Sequence, residues 1–144
     1  MNIYVFSQKD IENYAKEKHD TATLLISITA HGLEKANVRA NSKNNIQKIL
    51  FLEFDDTDND KDGIQRKDAT RIRTFLIKNI PKYNIDTILV NCNAGQSRSA
   101  GVAAALMYYF NNDDTPIFGN YKYTPNMKCY RTVLNRIFEE DYDE

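Results

Sequence analysis

Apolar runs alternate with helical patterns along the chain, and this alternation predicts the architecture. Four runs rich in β-branched and aliphatic residues predict strands: residues 3–6, 23–28, 46–54 and 85–91. Apolar side chains at helical spacing predict four helices: residues 8–18, 67–79, 99–110 and 125–138. We therefore expect an α/β fold. It would be a single domain over residues 1–144, with a mainly parallel central sheet of about four to five strands flanked by helices.

Local signals predict where the helices begin and end. Ser7, followed three residues later by Asp10, predicts an N-cap with its capping-box partner. Pro81 predicts the end of the helix that begins at residue 67, while Thr124 and Pro125 predict the cap and first residue of the last helix. Six side chains of that last helix are expected to face the core: Met127, Tyr130, Val133, Leu134, Ile137 and Phe138.

The segments between these elements point to where a ligand would bind. Residues 29–45 are polar and are predicted to form a long loop. In parallel sheets covered by helices, ligands bind beyond the carboxyl ends of the strands. That rule selects two segments, the acidic residues 55–63 after Phe54 and the short stretch after Asn91.

Composition and charge narrow the classes of function. A net charge of −1 gives no electrostatic support for binding nucleic acid or an anionic membrane. No apolar run approaches the roughly 20 residues of a membrane-spanning helix, and the polar residues after Phe6 do not fit a signal peptide. Cys92 and Cys129 are too few for a disulfide framework and lack the spacing of a zinc site. A reducing compartment is therefore expected, with the cytoplasm as the default.

The segment between Cys92 and the following helix has the composition of a phosphate-binding loop. Backbone N–H groups at a helix N-terminus can converge on an anion, and a glycine allows the backbone to wrap closely around it. The Arg98 guanidinium can hold two phosphate oxygens at once and stays charged. Six residues are expected to contact phosphate: Asn93, Ala94, Gly95, Gln96, Ser97 and Arg98.

Cys92 is the expected nucleophile of this loop. A thiol beside a helix N-terminus and an arginine has a lowered pKa, and the thiolate is the reactive form. Donors preorganised around it would stabilise the transition state of attack on phosphorus. Cys129, in contrast, lies in an amphipathic helix and is expected to pack in the core.

Cys92-Asn93-Ala94-Gly95-Gln96-Ser97-Arg98-Ser99 resembles the Cys-x5-Arg-Ser/Thr signature of the protein tyrosine and dual-specificity phosphatases. The resemblance includes the apolar strand before the segment, the alanine-rich helix after it and the upstream strand that runs into Asp55 and Asp56. It covers about residues 23–138 and is greatest to small bacterial or viral dual-specificity-like members. It implies a dual-specificity-phosphatase-like fold and hydrolysis of phosphate monoesters.

The resemblance also implies roles for the residues of the loop. Cys92 attacks phosphorus and forms a phosphocysteine, Arg98 binds the phosphate, and Ser99 donates a hydrogen bond to the sulfur. One departure concerns Asn91, because the family usually places a histidine there that organises the loop and favours the thiolate. Asparagine can still donate to the loop backbone, so we expect a slower site or a higher thiol pKa, with activity retained.

The acidic loop supplies the general acid and base in this family. Counted from the end of the preceding strand, Asp56 matches that residue best and Asp55 is the second candidate, with Asp58 and Asp60 still open. The resemblance implies no metal and no cofactor.

The same loop has an alternative interpretation as a calcium site. Asp58, Asp60 and Asp62 copy the first half of a calcium-binding loop. The second half does not match, because Ala69 stands where a bidentate glutamate is needed. A solvated loop that holds the general acid is the preferred interpretation.

The implied partner is a phosphorylated protein. A shallow pocket for phosphotyrosine is expected, with phosphoserine and phosphothreonine as further candidates. The chain has no tryptophan and so lacks the Trp-Pro-Asp acid loop of the large tyrosine-specific enzymes. The phosphate loop contains no lysine, which disfavours multiply charged inositol lipids. Neither nucleic acid nor a membrane is expected as a partner, and the oligomeric state stays open.

Several other functions compete with this one. A non-catalytic phosphoprotein-binding module of the same fold would keep Arg98 and the phosphate loop. A rhodanese-type sulfurtransferase also uses a cysteine in a short loop with arginine, but it has no need of an acid such as Asp56. A phosphatase of polynucleotide 5′ ends gains no support from the net charge. Low-molecular-weight phosphatases carry their cysteine near the N-terminus, unlike Cys92.

Overall fold

The computed structural model describes residues 1–139 and contains four strands and five helices within them. The strands are β1 (Asn2–Phe6), β2 (Thr23–Thr29), β3 (Ile46–Glu53) and β4 (Thr87–Asn91). The helices are α1 (Gln8–Lys16), α2 (Arg66–Tyr83), α3 (Arg98–Asn111), α4 (Thr115–Phe118) and α5 (Met127–Phe138). The predicted α/β class and strand number are confirmed.

The strands form one sheet in the order β1-β4-β2-β3, and every neighbouring pair is parallel. The two central strands, β2 and β4, are buried along their whole length, as expected for a sheet covered on both faces. Helices α2, α3 and α5 pack on one face. Helix α1 and the loop of residues 30–45 cover the other face.

This topology brings the expected ligand loops to one edge of the sheet. Because all four strands run in the same direction, their carboxyl ends meet at that edge. Cys92 follows β4 in the centre of the sheet, and Phe54 follows β3 at its side. Ser7, which caps α1 by accepting a hydrogen bond from the N–H of Asp10, follows β1 on the other side.

The predicted C-terminal ends of two helices are wrong. Helix α2 continues through Pro81 to Tyr83 and is closed by Asn84, whose N–H donates to the Ile80 carbonyl. The left-handed conformation of Asn84 lets the N–H of Ile85 donate to the same carbonyl. Pro81 lies in the last turn, where its missing N–H removes only one hydrogen bond. Helix α1 is shorter than predicted and ends at Lys16, because Glu17 is extended.

The last helix also begins later than predicted. Its N-cap is Asn126, not Thr124, because residues 124–126 run alongside the phosphate loop and donate backbone hydrogen bonds to it. Val133 and Ile137 are buried and Tyr130 and Leu134 pack partly against the core, as predicted. Met127 and Phe138 do not face the core and are 41% and 55% exposed. Both stand at the ends of α5, where fewer neighbours cover a helix.

None of the helices within residues 1–139 combines the length and the apolar character that crossing a membrane requires.

The surroundings of Gly101 show how closely α5 packs against α3. A Cβ atom at Gly101 would lie 2.4 Å from the Asn126 carbonyl oxygen and 2.9 Å from Cys129 Cβ. Alanine normally stabilises a helix relative to glycine by about 1 kcal/mol, but overpacking costs about 1–3 kcal/mol. We therefore expect Gly101→Ala to lower the free energy of unfolding in urea. Increased stability would contradict the close approach of the two helices.

Candidate active site

The loop of residues 92–98 is held so that its backbone donors face inward. The carbonyl oxygens of Asn93 and Gln96 point outward and accept hydrogen bonds from the N–H groups of Gln8 and Thr124, at 3.0 and 2.9 Å. Since each peptide unit is planar, a carbonyl that points outward directs the next N–H toward the centre of the loop. The result is a concave set of N–H groups of the kind that binds phosphate.

Gly95 is required at the centre of this loop. Its φ of +70° lies in the left-handed region that glycine adopts without strain. A Cβ atom there would also lie 2.6 Å from the Ser7 nitrogen and 2.7 Å from the Phe6 carbonyl carbon. The end of β1 therefore packs directly against the loop and leaves no room for a side chain.

Cys92 lies at the base of the loop and is 2% exposed. Its Sγ is 3.0 Å from the Ser99 hydroxyl. Burial raises the pKa of the Cys92 thiol. Hydrogen bonds from the hydroxyl and N–H of Ser99 and from the N–H of Gly95, together with the positive charge of Arg98, outweigh burial and bring that pKa below its ordinary value. The site thus favours a thiolate.

Arg98 is the first residue of α3, and its guanidinium is buried beside the loop. Nη1 donates a hydrogen bond of 3.0 Å to the Phe54 carbonyl, which fixes the plane of the group. Within residues 1–139, its buried Nε has no hydrogen-bond partner. A buried donor without a partner is costly, so a phosphate oxygen in the loop would supply what Nε lacks.

Asp56 is brought against the phosphate loop by two hydrogen bonds. Its Oδ1 accepts from the Ser97 hydroxyl at 2.7 Å and from the Asn126 side-chain amide at 2.9 Å. Ser97 belongs to the loop itself and Asn126 caps α5. The carboxyl group is therefore fixed at the exposed rim of the phosphate loop.

The other three candidate aspartates point elsewhere. Asp55 Oδ1 accepts from the His31 N–H at 2.9 Å and lies 3.2 Å from the His31 ring nitrogen Nδ1. The backbone hydrogen bond from His31 is the main reason that the pKa of Asp55 is below its usual value. Asp60 pairs with Lys128 at 3.0 Å, and Asp58 is exposed. Of the four, only Asp56 hydrogen-bonds to the phosphate loop.

One cluster of possible metal ligands within the described residues includes two residues of the acidic loop, Asp55 and Asp62. Ligand atoms of His31, Asp55 and Asp62 lie within 4.8 Å of one another, and a ring nitrogen with two carboxylates could in chemical terms hold a divalent cation. The three side chains are exposed or half-buried. The pattern of Asp58, Asp60 and Asp62 does not bring those three carboxylates together within the described residues.

Asn91 occupies a buried position under the loop. Its amide Nδ2 lies 3.5 Å from the Cys92 carbonyl oxygen, at the outer limit of a hydrogen bond. Among residues 1–139, neither its Oδ1 nor the hydroxyl of Ser27, its register partner on β2, has a hydrogen-bond partner. The groups that lower the pKa of Cys92 are Ser99, Gly95 and Arg98, and Asn91 is not among them.

Cys129 and Asn126 differ in how well the sequence identified them. Cys129 is fully buried. Burial, and after it the negative charge of Asp56, raise its pKa to about 12, as befits a packing residue. Asn126 follows Pro125, and this position predicts that it assists the start of the last helix. It does so, since its Oδ1 accepts from the Cys129 N–H, but its amide also binds Asp56. The sequence offers one signal for this second contact: an asparagine that caps a helix through Oδ1 still has an amide N–H group to donate.

Comparison with known proteins identifies the fold. No protein-family model matches the chain, and neither does any curated protein sequence. Three similar solved structures are human tyrosine phosphatase-like serine/threonine/tyrosine-interacting protein (TM-score 0.54, 19% identity, 79% of this chain and 75% of that one), Cydia pomonella PTP-2 phosphatase (0.59, 16%, 94% and 85%) and human DUSP28 (0.57, 12%, 94% and 90%). The chain therefore has a dual-specificity-phosphatase-like fold.

The two cysteines should differ in reactivity. At neutral pH we expect iodoacetate to alkylate Cys92, whose pKa is lowered, and to leave Cys129 unmodified. The rate at Cys92 should rise with pH as the thiolate forms, and Ser99→Ala should move that rise to higher pH because the sulfur loses a donor. Peptide mass spectrometry gives both rates, with Cys92→Ser as control. Equal alkylation of both cysteines would contradict the described electrostatics.

Proposed function

We propose that this protein is a cysteine-dependent phosphatase that hydrolyses phosphate monoesters on proteins through a phosphocysteine at Cys92. The observation that carries the proposal is the placement of one thiol, 3.0 Å from the Ser99 hydroxyl, at the base of a loop that also holds Arg98. Phosphotyrosine is the expected substrate, with phosphoserine and phosphothreonine as further candidates. Two free cysteines fit a reducing compartment, so we assign the protein to the cytoplasm.

The first half of the reaction forms the phosphoenzyme. The Cys92 thiolate attacks phosphorus and forms the S–P bond, while the bond between phosphorus and the leaving oxygen breaks. Asp56 transfers its proton to that oxygen, so the product leaves as a neutral alcohol or phenol. The N–H groups of residues 93–98 and the Arg98 guanidinium bind the equatorial phosphate oxygens and stabilise the charge that develops on them.

The second half releases phosphate. Asp56, now a carboxylate, removes a proton from a water molecule that attacks the phosphocysteine. The S–P bond breaks, inorganic phosphate forms and the electron pair returns to sulfur. The Ser99 hydroxyl donates to the sulfur and makes the thiolate a better leaving group. No metal ion or cofactor takes part in this scheme.

A turnover assay with phenyl phosphate tests the proposal. We expect hydrolysis by the wild type, inhibition by vanadate and no turnover by Cys92→Ser. Asp56→Asn should lower kcat/KM for this poor leaving group by about a hundredfold or more, the usual contribution of a general acid. Full turnover of phenyl phosphate by Asp56→Asn would contradict the role of Asp56 as the general acid. A wild type that uses thiosulfate as a sulfur donor and releases no phosphate would identify a sulfurtransferase. An inactive wild type would overturn the enzyme assignment.

A phosphoprotein-binding module is the second candidate function. One observation favours it: a solved structure of the same fold is named a tyrosine phosphatase-like serine/threonine/tyrosine-interacting protein. A module of this kind would bind a phosphopeptide and leave it intact, and Arg98→Ala would abolish that binding. Wild-type binding without release of phosphate, measured by titration calorimetry and phosphate assay, would establish this second function.

A further inference from the structure

We propose that Asn126 is a positioning residue for Asp56 and that it fixes the oxygen from which the proton is transferred. The inference rests on the proposed function, since it assigns a role within the same reaction. The Asn126 amide nitrogen donates to Asp56 Oδ1 at 2.9 Å and lies 3.4 Å from the Thr57 carbonyl oxygen. One side chain at the start of α5 thus binds both the acid and the backbone next to it.

The orientation of the Asn126 side-chain amide is determined by the hydrogen bond with which it caps α5. Asn126 Oδ1 accepts the Cys129 N–H at 2.9 Å and thereby caps α5. An amide that turned over would place its NH₂ group against that N–H and lose both hydrogen bonds. The cap therefore requires Oδ1 to face the helix and Nδ2 to face Asp56.

The backbone of Asn126 is equally fixed. Its N–H donates to the Ser97 carbonyl at 3.0 Å, and its own carbonyl lies so close to α3 that only glycine fits at position 101. Lys128, two residues later, adds a second anchor, because its Nζ donates to the Asn59 carbonyl at 2.8 Å. The first turn of α5 therefore holds the acidic loop at two points and the phosphate loop at one.

These contacts select one oxygen of the Asp56 carboxyl group. Both donors, the Ser97 hydroxyl and the Asn126 amide, bind Oδ1. No hydrogen bond from residues 1–139 reaches Oδ2. An oxygen that accepts two hydrogen bonds is a poor place for a proton, so the acidic proton resides on Oδ2. Asn126 and Ser97 thus leave Oδ2 as the oxygen from which the proton would be transferred. The Ser97 hydroxyl can rotate away, whereas the amide of Asn126 is held by the cap.

Substitutions that preserve the N-cap of α5 distinguish a role of Asn126 in positioning Asp56 from a role in stability. Asn126→Ser retains an N-cap oxygen and removes the amide donor. We expect kcat/KM for phenyl phosphate to fall about tenfold, as for the loss of one hydrogen bond to a charged group. With dinitrophenyl phosphate, whose leaving group needs no proton, kcat/KM should stay unchanged. A destabilised fold would lower both rates. Asn126→Asp, which also caps but repels Asp56, should show at least as large a selective loss and serves as the second variant.

A double-mutant cycle with Asp56→Asn shows whether Asn126 acts through the acid. In the Asp56→Asn background, Asn126→Ser should have no further effect on phenyl phosphate. Asn120→Ser is the matched control, because within residues 1–139 the side chain of Asn120 accepts a hydrogen bond only from the nearby N–H of Lys122. This control variant should leave kcat/KM unchanged for both phenyl phosphate and dinitrophenyl phosphate.

The outcomes distinguish this inference from the proposed function. If the wild type hydrolyses phenyl phosphate and Asn126→Ser and Asn126→Asp match it on both substrates, the positioning role is wrong and the phosphatase assignment stands. An additive effect of Asn126→Ser and Asp56→Asn also overturns the positioning role. If the wild type is inactive while Cys92 still binds vanadate, the proposed function is overturned, and the positioning role with it.

Discussion

The outward orientation of the carbonyl groups in the loop of residues 92–98 is the constraint on which the rest of the site depends. Hydrogen bonds from Gln8, Thr124 and Asn126 hold those carbonyls, so two segments outside the loop, the start of α1 and residues 124–126, define its shape. Burial raises the pKa of Cys92 inside this loop, but hydrogen bonds from Ser99 and Gly95 and the charge of Arg98 bring it below its ordinary value. Without those outer hydrogen bonds, the N–H groups of Ala94, Ser97 and Arg98 would no longer be held toward the centre of the loop.

Stability and site geometry are linked through the start of α5. Residues 124–126 run alongside the phosphate loop before the helix begins, and Gly101 allows the two helices to approach closely. Asn126 is the junction, since it caps α5, holds the phosphate loop through its N–H and binds Asp56 through its amide. A change that shifts this junction therefore alters both the fold and the position of Asp56.

The sequence was informative where the determinants are local. The strand that ends at Asn91 and the glycine-containing loop before α3 follow from apolar periodicity and spacing, and parallel strands must bring their carboxyl ends to one edge. Contacts between segments that are far apart in the chain could not be predicted from the sequence. The choice between Asp55 and Asp56 depends on His31 and Asn126, which lie 24 and 70 positions away. The prediction that Pro81 ends α2 was wrong for a different reason. A proline in the last turn of a helix removes only one hydrogen bond, so the helix continues to Tyr83.

Trapping the covalent intermediate tests the central claim most directly. The Asp56→Asn variant retains the nucleophile but lacks the base for the second step, so with dinitrophenyl phosphate the phosphoenzyme should accumulate. Rapid acid quenching and peptide mass spectrometry should then find one phosphoryl group on the peptide that contains Cys92, and none after Cys92→Ser. Continued turnover with no phosphoryl group on Cys92, or with the group on another residue, would contradict the phosphocysteine mechanism.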